Sequence, residues 1–155
     1  MPLIEVPGVP RGKQRPRFYI RKKKDGSNFF GSYTPKDTIL YENAVKMAYQ
    51  QQWNRPPITG AVRMIISAYF PPPSSISNTK RKKLLLGWYD KKPDIDNIAK
   101  AVIDGLNGVA FLDDRQIVNL EVRKFYGERP VLQVLIEEMD IYMEPDNEES
   151  KKEKA

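Results

Sequence analysis

The sequence predicts an α+β fold: a single small domain with a mixed β-sheet and helices packed against it. Two observations carry this. Strand-type alternation clusters toward both ends of the chain, with helices between, and no regular βαβ alternation is present. The 155 residues suit one domain with a core that needs no staples. Residues 1–143 are taken as that domain and 144–155 as a disordered polar tail, because the composition becomes wholly polar from Glu144.

Leu3-Ile4-Glu5-Val6 reads as a short strand stopped by Pro7-Gly8. Arg17–Ile20 and Phe29–Tyr33 read as hairpin arms around a turn-prone Asp25-Gly26. Thr34-Pro35 fits an N-cap with proline at the first helical position. That helix would run to Trp53 with Leu40, Ala44, Met47 and Ala48 as its buried stripe. Ala61–Phe70 alternates as a strand, with Val62, Met64, Ile66 and Ala68 on one face. Pro71-Pro72-Pro73 forces an extended loop, Ser77–Leu86 a short helix, and Asp94 or Asp96 caps a helix running to Asn107. Gln116–Tyr126 and Val131–Glu138 complete the strands, joined through Gly127–Pro130.

Composition narrows the chemistry. The chain has no cysteine and no histidine. Disulfides, thiolate zinc sites, Ser-His-Asp triads and His-dependent nucleases are therefore excluded, and a reducing cytoplasm fits. No apolar run approaches the roughly 18 residues of a membrane span, and the N-terminus lacks a signal-peptide pattern. The net charge of +6 is unevenly placed. Residues 1–36 hold nine cations against Glu5 and Asp25, a local +7. Arg11, Lys13, Arg15, Arg17, Lys22, Lys23 and Lys24, with Lys91 and Lys92 further on, form a candidate phosphate-binding footprint.

The acids cluster in two places: Asp94 and Asp96 within Lys-Pro-Asp-Ile-Asp-Asn-Ile-Ala-Lys, and Asp113-Asp114 after an apolar Val109–Leu112. Carboxylates crowded together repel unless a cation neutralises them. In a basic chain they suggest a Mg²⁺ or Mn²⁺ site acting on nucleic-acid phosphate. An antiparallel return after the helix would bring Asp113 or Asp114 back beside Asp94 and Asp96. The bland alternative makes Asp94 and Asp96 helix caps, and Asp96, Lys100 and Asp104 a surface ion-pair chain worth about 0.3–0.5 kcal/mol per pair.

The string from Lys92 to Lys100, the Asp104–Ile117 segment with its Asp-Asp-Arg-Gln, and the amino-terminal Gly12-Lys13-Gln14-Arg15-Pro16-Arg17 resemble RusA-type Holliday junction resolvases, over roughly residues 3–139. Tyr33-Thr34-Pro35 is similar to the prophage-encoded branch, implying a bacterial or phage source. The resemblance implies a homodimeric, Mg²⁺-dependent endonuclease that cuts branched DNA, the four-way junction. It implies metal-binding aspartates at Asp94, Asp96 and Asp114, with Asp113 not separable from its neighbour. Lys100 would stabilise phosphate charge or orient water. The Pro71–Pro73 loop and the Ser77–Leu86 segment exceed those of the shortest members, which leaves the DNA-contacting surface open. Two rivals stand beside this reading. A PD-(D/E)xK nuclease would need D/E-x-K, and Glu121-Val122-Arg123-Lys124 has the wrong spacing. A non-catalytic module would grip DNA with the basic arm, Phe18, Tyr19 and Phe29.

Overall fold

The computed structural model describes residues 2–142; the expected tail at 144–155 lies outside them. Six strands and three helices follow in the order β1 (Leu3–Pro7), β2 (Arg17–Lys22), β3 (Asn28–Tyr33), α1 (Lys36–Gln52), β4 (Ala61–Phe70), α2 (Asn78–Leu84), α3 (Ile95–Leu106), β5 (Ile117–Tyr126) and β6 (Val131–Met139). A mixed four-stranded sheet has the order β1-β6-β4-β5, and β2 and β3 form a separate antiparallel ribbon. The α+β expectation holds.

β4 is the central organiser of the sheet. It pairs parallel with β5, because α2 and α3 carry the chain back between them, and antiparallel with β6. The two last strands, consecutive in sequence, therefore flank β4 rather than each other. Alternation drives the layering: Val62, Met64, Ile66 and Ala68 are fully buried against the helices, as their period predicts. Ile98, Val102 and Leu106 of α3 complete the core from above, each fully buried aliphatic contributing roughly 1.5–3 kcal/mol.

Two expectations for α1 need correction. Its N-cap is Pro35 with no side-chain capping bond, so Thr34 does not serve as the cap. Its buried face is Thr38, Tyr41, Val45, Ala48 and Tyr49, whereas Leu40 and Met47 are exposed. The tyrosines decide the rotation. Their rings belong to the buried core, while their ambiguous polarity hides the stripe from a count of aliphatic residues.

Candidate functional site

Asp94 stands at the start of α3, where three interactions fix the backbone. Lys124, reaching up from β5, donates from its ammonium to the carbonyls of Lys91 (2.7 Å) and Pro93 (3.0 Å). The Lys13 N–H donates to the Asn97 carbonyl at 2.8 Å, and the Gln14 N–H to the buried Thr38 hydroxyl at 3.1 Å. The arm 10–15 is thereby tied to the first turns of both α3 and α1. Gly12 permits the contact, since a Cβ there would lie 2.9 Å from Pro93 Cβ and 3.0 Å from Asn97 Cβ. Between arm and helices opens a cleft of about 500 Å³, lined among others by Arg11, Arg15, Asp37, Lys92 and Asp94.

Asp94 is the N-cap residue by position, yet its side chain makes no capping bond. Asp96, in the first turn, is exposed and in no ion pair among the described residues. Both carboxylates are thus uncommitted hard-oxygen donors beside the positive end of a helix. Lys100, one turn on and exposed, has no carboxylate within ion-pair distance among the described residues. The Asp96–Lys100–Asp104 ion-pair chain does not form, because Asp104 is bound to Lys13 instead.

Lys13 departs from its expected role as a DNA contact. Its ammonium is held by Asp104 and by Glu42 at 3.5 Å, so it braces the arm against α3 and α1. The hydrogen bond that the ammonium donates to Asp104 raises its pKa above the ordinary lysine value, with partial burial opposing. Arg11, Arg15, Arg17, Lys22, Lys23, Lys24, Lys91 and Lys92 are all exposed. Of these, Arg11, Arg15 and Lys92 line the Asp94 cleft, whereas Lys22, Lys23 and Lys24 lie at the turn of the β2–β3 ribbon. Tyr41, behind Arg11, has its hydroxyl pushed up to about 12 by burial.

Asp113 and Asp114 do not come back to Asp94. After α3 the chain makes a tight turn, Ala110 N–H to Leu106 O at 2.9 Å and Gly108 N–H to Phe111 O at 2.8 Å, instead of an antiparallel return. The acids therefore sit at the C-terminal end of α3, a helix whose 12 residues span about 18 Å. They precede the first residue of β5, while Lys124 near its last meets the Asp94 loop. Among the described residues, no group of three or more acidic side chains is gathered closely enough to hold a metal.

The pair also separates by task. Asp113 caps a 3₁₀ turn (Asp114–Gln116), accepting from the Arg115 N–H at 2.9 Å, and that bond holds its carboxyl below the usual range. Gln116 completes the box and anchors it to the Ile58 and Gly60 carbonyls, both at 2.8 Å. Asp114, in the first turn of that segment, is exposed. Glu121 is paired with Arg123 of the same strand at 2.5 Å.

Sequence reasoning missed Thr38, Asn97 and Lys124 as the residues that fasten the cleft. Only the glycine at 12 signalled a close backbone approach. A family model described as "Endodeoxyribonuclease RusA" matches residues 7–137 of the chain. An uncharacterised protein of Bacillus subtilis (strain 168), YqaN, is 37% identical over 140 residues, covering 86% of this chain and 94% of that protein.

Proposed function

The chain belongs to the RusA family of endodeoxyribonucleases, and from that premise we propose that it resolves four-way (Holliday) DNA junctions by divalent-metal-assisted phosphodiester hydrolysis. One observation carries the metal reading. Asp94, which lines a cationic cleft, occupies a capping position without capping, and Asp96, two residues on, is a second exposed carboxylate in no ion pair among the described residues. A surface helix start would use such a side chain, as Ser77 does for α2.

The donor set is all carboxylate oxygen, which fits Mg²⁺ and also Mn²⁺. Asp94 and Asp96 would hold the ion with Asp114. Bound there, it would supply a water of lowered pKa and charge stabilisation for the leaving 3′ oxygen. Arg11, Arg15 and Lys92 hold phosphates along the cleft, and Lys100 adds positive charge beside the reacting phosphate.

A homodimer is part of this reading. Asp94 and Asp114 lie toward opposite ends of α3, which supports a site that takes Asp114 from a second copy. The proposed setting is the bacterial cytoplasm, where recombination and repair of host or resident-phage DNA produce such junctions.

The test compares a synthetic mobile four-way junction with linear duplex and single strand of the same sequence. Symmetric nicking of the junction in Mg²⁺, and none in EDTA, is expected. Equal cutting of duplex, or no cutting in Mg²⁺ or Mn²⁺, would overturn the assignment.

A further inference from the structure

None of the residues of the β2–β3 ribbon is buried. Its two faces differ. On one, Arg17, Tyr19 and Arg21 stand opposite Tyr33, Gly31 and Phe29. This face is partly covered by its own side chains, with Phe29 and Tyr33 at 45% and 49% exposure. The Tyr19 ring covers Gly31, where a Cβ would lie 2.5 Å from Tyr19 Cζ, and Arg21 sits over that ring at 5.3 Å. On the other face, Phe18, Ile20 and Phe30 are bare, at 83%, 64% and 71% exposure. Ile20 and Phe30 are directly opposed, and Phe18 is the next residue along that face.

Exposed aromatics at this level mark a binding surface. What covers them is argued by charge and place. The ribbon carries Arg17, Arg21, Lys22, Lys23 and Lys24 against Asp25 alone. Joining two such faces in a dimer would press two strongly cationic ribbons together, whereas DNA supplies the opposite charge with flat, apolar bases. Both roots of the ribbon also meet the Asp94 cleft: Arg15 precedes β2, and Asp37 and Thr38 follow β3.

We propose that the Phe18–Ile20–Phe30 face is a wedge that stacks on unstacked bases at the branch point, while the ribbon's cations hold the flanking phosphates. It rests on the reading of the chain as acting on branched DNA, and adds the source of its selectivity. Bases at a branch are freed at lower cost than bases within a continuous duplex. A stacking platform of this kind therefore favours the junction without reading sequence.

The experiment places 2-aminopurine at the branch of a fixed four-way junction and adds full-length protein in EDTA, so that nothing is cut. Wild type is expected to raise the fluorescence several-fold. The Phe18→Leu/Phe30→Leu double variant keeps apolar bulk but lacks the rings. It is expected to lose the signal and to bind the junction about tenfold or more weakly, with duplex affinity unchanged. Phe18→Tyr/Phe30→Tyr restores both readouts. Wild-type fluorescence in the leucine variant would overturn the wedge, as would wild type that cuts junctions yet leaves the probe dark. A leucine variant that keeps the signal while the tyrosine variant changes from dimer to monomer in sedimentation would assign the face to a second copy, again overturning it. Wild type that binds no junction removes the wedge together with the nuclease reading.

Discussion

Asp96 and Asp114 are the positions where a single atom decides between roles. Asparagine keeps the shape and caps a helix about as well as aspartate, but lacks the charge a hard cation needs. Asp96→Asn and Asp114→Asn are each expected to abolish cleavage while junction binding in EDTA stays equal or tightens, read by gel shift beside a nicking assay. Near wild-type cutting in saturating Mg²⁺ would return both to the surface. Lys13 makes a different prediction, about pH. Its pKa is raised in the folded chain, so the pairing with Asp104 stabilises the fold throughout neutral pH and fades as pH rises beyond 10.5. Lys13→Met is expected to cost roughly 1 kcal/mol or less at pH 7, with the gap in denaturant midpoint closing in strong alkali. The sequence shows Lys13 as one basic residue among many. Its partners are Glu42 and Asp104, 29 and 91 residues away along the chain, and no local pattern announces such a contact.

Local signals suffice for most elements and fail where packing chooses between equivalent faces. β4 was legible because Val62, Met64, Ile66 and Ala68 alternate onto one face, and α3 because Ile98, Val102 and Leu106 leave a clear polar side. α1 was misread by rotation, as Tyr41 and Tyr49 outcompete Leu40 and Met47 for the core. The crossing of α1 and α3 supplies a test at this level. At Gly105 a Cβ would lie 2.8 Å from the Glu42 carbonyl oxygen and 3.1 Å from Val45 Cβ, and the backbone atom has no room to yield. Ala within a helix normally gains about 0.5–1 kcal/mol over Gly, whereas overpacking costs about 1–3 kcal/mol. Gly105→Ala is therefore expected to lower the melting temperature by several degrees. A rise would mean the helices separate freely. The ribbon's cations are tested by salt: replacing Lys22, Lys23 and Lys24 with Gln is expected to reduce the log–log salt slope of junction binding by up to about three.

At the scale of the whole molecule, the two acidic clusters pose a problem that one chain does not solve. The residues of the site were legible in the sequence, because Asp-Ile-Asp and Asp-Asp-Arg-Gln stand out by type and spacing. Their arrangement was not, since it depends on whether the chain turns tightly or returns along α3 after Leu106. It turns tightly, which leaves the clusters toward opposite ends of α3, a helix of 12 residues with a rise of about 18 Å. A metal site shared between two copies would answer this, and mixing inactive subunits tests it. In a heterodimer of an Asp96→Asn chain with an Asp114→Asn chain, a site built across the interface has one intact version: wild-type Asp94 and Asp96 from the second chain meet wild-type Asp114 from the first. A site contained within each chain has none, for every chain carries a lesion. Co-refolding the two variants is expected to restore nicking on one strand of the junction, toward half of the wild-type rate within the heterodimer fraction. Two single variants that stay dead when mixed, although a tagged pull-down shows that heterodimers have formed, would place the whole site within one chain and force α3 and the Asp113–Gln116 turn to rearrange on binding DNA.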